Sequence, residues 1–281
     1  MTHIYMPQES INQKNILITG GTSGLGLELV KLFLVKGYKV IAMGRQLIFL
    51  PEYEDRFNLF QVDFSDLNQV AFITKTISET YNPGIIINNA GILSPSKFTT
   101  TINSLEYTFQ VNYLSHLLIN EIILSKNKNN DPVKIVTVTS PVSRFANINN
   151  SLQFGEESYS AFKAYSSSKL YLTLMCEFLS LRHPGMNFEC FSFDPGTFSS
   201  GIYRMQGNWF KGFYRIASPF MRSSGKVAKI LIEILTSNEI EQGVIYDIRK
   251  RTRLTPETDK QKREVFVESC YELLDPYIKQ M

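Results

Sequence analysis

Between an apolar run ending at Thr19 and an amphipathic helical pattern beginning at Leu25, the chain reads Thr19-Gly20-Gly21-Thr22-Ser23-Gly24-Leu25-Gly26. A glycine-rich turn in this position constrains the fold strongly. Gly20 permits a tight turn, Gly24 lets backbone approach a pyrophosphate, and Gly26 lets helix and strand pack closely. The free N–H groups around Thr22, Ser23, Gly24, Leu25 and Gly26 would then face phosphate oxygens. Such a turn belongs in a βαβ unit, and the rest of the chain continues that alternation. Short, mostly Ile/Val-rich runs at 16–19, 39–43, 59–62, 85–87, 134–138, 187–193 and 243–248 predict strands. Helical patterns at 25–36, 67–80, 105–124, 165–181, 226–235 and about 257–274 separate or follow them. The strand runs are nearly continuous in apolarity, as in a parallel sheet covered on both faces. The expected fold is α/β: a doubly wound Rossmann-type domain over 1–281, mostly parallel, ending in a substrate-loop and helix region. Residues 197–223 break the rhythm as an insertion.

Composition narrows the function. The 281 residues are 43% hydrophobic, enough for one large core. A net charge of +3 is too mild to argue for nucleic acid, and the basic run at 249–253 reads as a solvated turn. Cys176, Cys190 and Cys270 lie far apart, which argues for a reducing compartment and against a disulfide or a zinc site. His3, His116 and His183 have no metal-ligand spacing, so no metal is expected; His116 reads as a helix-packing residue. The first 14 residues lack a signal-peptide pattern, and no stretch approaches the roughly 20 apolar residues of a membrane span. A soluble, cytoplasmic protein is expected.

The end of the second strand reads Met43-Gly44-Arg45, without an acid to hold ribose hydroxyls. Arg45 can meet a 2′-phosphate, so NADPH is favoured over NADH as cofactor. After the third strand, Asp63 beside Phe64 can accept a hydrogen bond from an adenine amino group, or serve as a helix cap. Far downstream, Tyr165 and Lys169 stand four apart and share a helix face. A nearby ammonium favours the phenolate and brings a tyrosine toward working pH. Tyr165 could then exchange a proton with a carbonyl or alcohol oxygen, which Ser140, ending the fifth strand, would polarise.

In order as well as content, these motifs resemble the short-chain dehydrogenase/reductase superfamily over nearly the whole chain. Asn88-Asn89-Ala90-Gly91 matches its segment after the fourth strand, Asn112 its catalytic asparagine, Ser140 its serine, and Tyr165-x-x-x-Lys169 its signature. Pro195-Gly196, with Phe198 close behind, matches the turn that meets the nicotinamide carboxamide. The resemblance implies that Lys169 holds the nicotinamide ribose and that Asn112 anchors a relay water. The serine-to-tyrosine interval of 25 residues (140 to 165) is longer than is common and is similar to the retinol-dehydrogenase-like branch. The loop 144–160, with Phe145, Phe154 and Tyr159, would border the substrate. Ser200 stands where the family often has threonine, and Pro141 fixes the backbone after Ser140.

The expected partner is a small carbonyl or alcohol, bulky and hydrophobic from the aromatic loops, and by analogy a second copy of the chain, paired through the helices carrying Asn112 and Tyr165. The aromatic and basic segment 209–221 reads as a lid, with a membrane or partner contact as its rival. Two other functional readings stand beside the oxidoreductase: a catalytically silent NADP(H)-binding regulator or sensor, and a scaffold protein.

Overall fold

The computed structural model describes residues 15–148, 155–196, 223–237, 240–253 and 258–279. In chain order the elements are β1 (Ile16–Thr19), α1 (Gly24–Val35), β2 (Val40–Gly44), β3 (Phe57–Gln61), α2 (Leu67–Tyr81) and β4 (Ile85–Asn88). Then come α3 (Tyr107–Phe109), a π-helical turn over Gln110–Leu114, α4 (Ser115–Lys126), β5 (Val133–Val138) and α5 (Ala161–Arg182). The last elements are β6 (Phe188–Asp194), α6 (Ser224–Leu235), β7 (Ile245–Asp247), β8 (Thr252–Arg253) and α7 (Lys260–Ile278). The expected lid 197–223, with Phe198 and Ser200, lies almost wholly outside the described residues, as does Phe154.

One sheet runs β3-β2-β1-β4-β5-β6-β7-β8. Its first seven strands are parallel, and β8 returns antiparallel to β7 at the edge. The strand order reverses between β1 and β4, and their carboxyl ends form the crevice where a doubly wound sheet takes its ligand. Thr19 and Asn88 end those strands. The fold is therefore the Rossmann-type one expected. Every residue of β1, β2 and β4 is buried, which explains the unbroken apolar runs.

Helices α1 and α6 cover one face of the sheet, and α2, α4, α5 and α7 share the core of the other. On that second side Phe266 of α7 stacks 4.2 Å from Tyr171 of α5, and the Tyr271 hydroxyl donates to Glu121 of α4 at 2.6 Å. Among the described residues no helix is long and apolar enough to cross a membrane.

Three local expectations are corrected. The helix read over 105–124 is interrupted by the π-turn, which no apolar period announces because all of its residues are buried. The helix read from Tyr165 begins a turn earlier, because Ser160 caps it by accepting from Lys163 N. Cys176 and Cys190 are joined in a disulfide, against the expectation of none, so cysteine usage no longer points to a reducing compartment. Fourteen residues apart in the chain, they meet because α5 lies across β6, with their Cα atoms 5.3 Å apart. Cys270 is free and buried.

Candidate active site at the sheet crossover

The glycine turn takes the conformation its residues demand. Gly20 and Gly24 have φ of +66° and +54°, in the left-handed region open to glycine. A Cβ on Gly26 would lie 2.2 Å from the Gly20 carbonyl oxygen, so only glycine lets α1 start this close to β1. Ser23 occupies the N-cap of α1 with no side-chain cap bond. By contrast Asp66, Ser160, Ser223 and Asp259 each cap their helices with a side chain. The first-turn N–H groups of α1 are thus left for a ligand, and they fit an anionic pyrophosphate.

Facing the turn is the 89–91 segment. Asn89 Nδ2 donates to Thr19 O at 2.9 Å, and Asn89 N and Ala90 N both donate to the Thr19 hydroxyl at 2.9 Å. A Cβ on Gly20 would meet Ala90 Cα at 2.9 Å, which shows how tightly the two loops abut. Arg45 is exposed just past β2. Asp63 is exposed too, and its Oδ1 accepts from Ser65 N and Oγ, closing a turn of its own; Asp66 is the cap of α2. Val62 and Phe64 on either side are buried.

The polar residues of the second loop cluster converge on Lys169. Its Nζ is buried, donates to Val138 O at 3.0 Å and lies 5.8 Å from the Tyr165 ring centre. Burial pushes this ammonium down to about 8. Thr137 Oγ1 donates to the Leu172 carbonyl at 3.0 Å and Thr139 Oγ1 to the Lys169 carbonyl at 2.9 Å, so the end of β5 is tied to α5 three times. Ser140, the next residue, therefore lies beside the turn of α5 that carries Tyr165. Gly91 lies on the opposite side: a Cβ there would stand 3.5 Å from Lys169 Nζ and 3.4 Å from Asn112 Oδ1, in ordinary contact with both.

Asn112 lies in the π-turn. Its amide accepts from Ile92 N at 2.8 Å and donates to Ile92 O and Ser168 Oγ at 3.0 and 3.1 Å. Ser168 Oγ in turn donates to Tyr165 O at 2.7 Å. Pro195 is buried after β6, and Gly196 N donates to the Asp194 carboxylate at 2.9 Å. The structure thus gathers Asn112, Ser140, Tyr165 and Lys169 at one end of β5 and α5. Thr22 to Gly26 and Asn89 to Gly91 stand across the crevice, and Arg45 and Asp63 lie farther out on the β2 and β3 side.

The model of the family described as short chain dehydrogenase matches residues 14–209. The chain belongs to that family. Human retinol dehydrogenase 11 is 28% identical over 242 residues, which cover 80% of this chain and 76% of that protein. A WW domain-containing oxidoreductase of Gallus gallus is 28% identical over 252 residues, covering 82% of this chain and 60% of its own length. Retinol dehydrogenase 12 of Mus musculus is 25% identical over 238 residues, 81% of this chain and 75% of its own. These relatives make the chain retinol-dehydrogenase-like within a family of oxidoreductases. Among solved structures, the closed form of a serine dehydrogenase complexed with NADP+ superposes with a TM-score of 0.66 at 17% identity, covering 86% of this chain and 96% of that one. A 4-hydroxyisoleucine dehydrogenase complexed with NADH gives 0.64 at 20% identity, over 83% and 96%. Both share the fold.

Two supports of this family site escaped the sequence reading. Glu106, buried, caps α3 by accepting from Thr108 N and Phe109 N, and so aims the segment that carries Asn112. Its signal was slight, since glutamate is an uncommon cap. The Thr19 hydroxyl was read only as part of a motif, yet it holds two N–H groups of the facing loop.

Proposed function

We propose that this chain is an NADP(H)-dependent oxidoreductase that interconverts a carbonyl and an alcohol. The observation that carries the proposal is the buried ammonium of Lys169 beside the Tyr165 ring, at the end of β5 where Ser140 emerges. When bound, a nicotinamide supplies or accepts the hydride at the substrate carbon. Everything else falls to the chain's own groups. In reduction, Ser140 donates a hydrogen bond to the carbonyl oxygen and polarises it. The Tyr165 hydroxyl passes its proton to that oxygen, and Lys169 stabilises the phenolate left behind. Lys169 also holds the nicotinamide ribose, as the resemblance implies. Asn112 has its amide committed to Ile92 and Ser168, so a relay water between Lys169 and solvent would donate to its main-chain carbonyl.

The pyrophosphate rests on the N–H groups of Thr22 to Gly26, and Asn89 to Gly91 support the adenosine side. Asp63 keeps Oδ2 for the adenine amino group beside Phe64, while Pro195, Gly196 and Phe198 meet the carboxamide. Fold neighbours are complexed with NADP+ and with NADH, which supports a nicotinamide without choosing between the two. Arg45 makes the choice for NADPH, since a guanidinium pairs with a 2′-phosphate. NADH binds more weakly at the same site.

Phe145 and Phe162 favour a bulky apolar substrate. They are 66% and 55% exposed, with ring centres 6.4 Å apart, on the turn after Ser140 and the first turn of α5. A second copy pairing through the Asn112 and Tyr165 helices would have to fit beside α7, which already covers Tyr171 and Glu121.

The test is NADPH oxidation against a panel of aldehydes and ketones, with NADH and Tyr165→Phe run in parallel. Turnover that Tyr165→Phe lowers by ~10²–10⁴-fold supports the mechanism. Tight NADPH binding with no turnover on a wide panel would favour the silent regulator instead.

A further inference from the structure

His116 lies outside the catalytic set, yet it bridges the two halves of the site. Its Nδ1 stands 2.9 Å from the Asn112 main-chain oxygen, and its Nε2 stands 2.9 Å from Thr19 Oγ1. Its ring is fully buried and lies 5.8 Å from that of Phe64.

The hydrogens of this bridge can be assigned from the partners alone. A carbonyl oxygen only accepts, so Nδ1 carries the proton and donates to Asn112. The Thr19 hydroxyl already accepts from Asn89 N and Ala90 N, which fills both lone pairs. Its own hydrogen therefore goes outward, to His116 Nε2 at 2.9 Å in preference to Ile87 O at 3.4 Å. The result is a one-way chain of donors from Asn89 and Ala90 through Thr19 and His116 to the Asn112 carbonyl. It requires a neutral ring with Nε2 bare. Burial, with the Lys169 charge adding to it, pushes His116 down to about 4 and keeps that form.

We propose that His116 is a positioning residue that couples the cofactor cradle at Thr19, Asn89 and Ala90 to the π-turn bearing Asn112. The inference rests on the function proposed above, since it assumes that the 89–91 loop supports a nucleotide. It goes further in giving the buried histidine a definite tautomer and a mechanical task. The task is to hold the 89–91 loop and the catalytic turn in register, so that a nucleotide seated on the first is presented to the second.

Two measurements test it. In the ¹⁵N-labelled wild-type chain, the histidine ring-nitrogen spectrum should show His116 as the Nδ1–H tautomer, with Nε2 unprotonated and shifting when NADPH is added. Assignment uses His116→Leu. Calorimetric titration should then show NADPH affinity lowered tenfold or more by His116→Leu and by Thr19→Val. The double variant should be no weaker than the worse single one, because both break the same bridge. Thr19→Ser, which keeps the hydroxyl, should bind within about twofold of wild type. An Nε2–H tautomer, or wild-type affinity in His116→Leu, overturns the proposal and leaves the oxidoreductase reading standing. A wild type that binds neither NADPH nor NADH overturns both. If His116→Leu does not fold, the Thr19→Val and Thr19→Ser pair decides the binding test. In that case the tautomer is read from the one buried histidine signal that Thr19→Val moves.

Discussion

The two faces of the sheet are built on different terms. On one, α1 and α6 bury Leu25, Leu29, Val30, Phe33 and Leu34 against Val227, Ala228, Leu231, Ile232, Ile234 and Leu235. Neither helix buries a polar side chain there. On the other, α4 is buried at every residue from 115 to 124, His116, Asn120 and Glu121 included, and its neighbours add buried Asn112, Ser168 and Lys169. These two helices of the first face are amphipathic and need one apolar stripe. The central helices of the second are covered on all sides, so their polar groups must find partners inside the protein. They find them in one another and in the strand ends, and the proposed chemistry is placed there. Hydrocarbon fills both sides of the sheet, and only on the second does a hydrogen-bonded network run through it and keep polar groups away from water.

The sharpest way to break this contrast is to exchange activity for stability at Lys169. Lys169→Met should lower turnover by ~10²–10⁴-fold. Its melting temperature at pH 7 should stay level or rise, since a buried charge is removed from a site that depresses its pKa to about 8. Turnover and thermal melts on one preparation check it, and a large fall in stability would contradict the account. Leu231→Ala, on the hydrocarbon face, should do the reverse. Removing a fully buried leucine should cost ~2–5 kcal/mol in urea unfolding and leave turnover per folded molecule unchanged.

Acid should also find the polar face first. His116 titrates near 6.5 when unfolded and near 4 in the fold, so its contribution is complete above pH 6.5 and is lost as pH falls from 6.5 to 4. The loss approaches ~3 kcal/mol, and His116→Leu should flatten that part of the pH–stability curve. Lys169 acts at the other end. Its folded pKa of about 8 lies below the unfolded 10.5, so its penalty is fully present below 8 and is relieved as pH climbs from 8 to 10.5. The smallest effect is expected at the rim. Arg45→Ala should weaken NADPH binding by about tenfold, worth ~1.4 kcal/mol, and leave NADH binding as it was.

The hydrocarbon face was the more legible of the two in the amino-acid sequence. The strands, shared by both faces, are runs such as Ile16–Thr19 and Val40–Gly44, and on the first face the apolar stripe of α1 ends before Gly37, whose φ is +88°. The glycine turn was equally plain, because its geometry is local. On the polar face the pattern carried less information. A helix buried on all sides has no stripe, so the junction of α3, the π-turn and α4 read as one helix. His116 read as ordinary packing because both of its partners, Thr19 and the Asn112 carbonyl, are set by the fold and not by neighbouring side chains. The Cys176–Cys190 disulfide and the β8 return strand also arise from contacts between elements. Tyr165 and Lys169 were the exception, since their spacing places them on one face of α5 whatever that helix packs against.

In the proposed reaction hydride reaches the substrate carbon from the nicotinamide while Tyr165, on this polar face, gives the proton to its oxygen. The most direct measurement uses NADPH deuterated at C4, with a carbonyl substrate from the panel and mass analysis of the alcohol formed. Each alcohol molecule made by the wild type should carry one deuterium, and Tyr165→Phe should form that labelled alcohol ~10²–10⁴-fold more slowly. Label that never reaches the alcohol from either face of C4, or Tyr165→Phe transferring it at the wild-type rate, would contradict it.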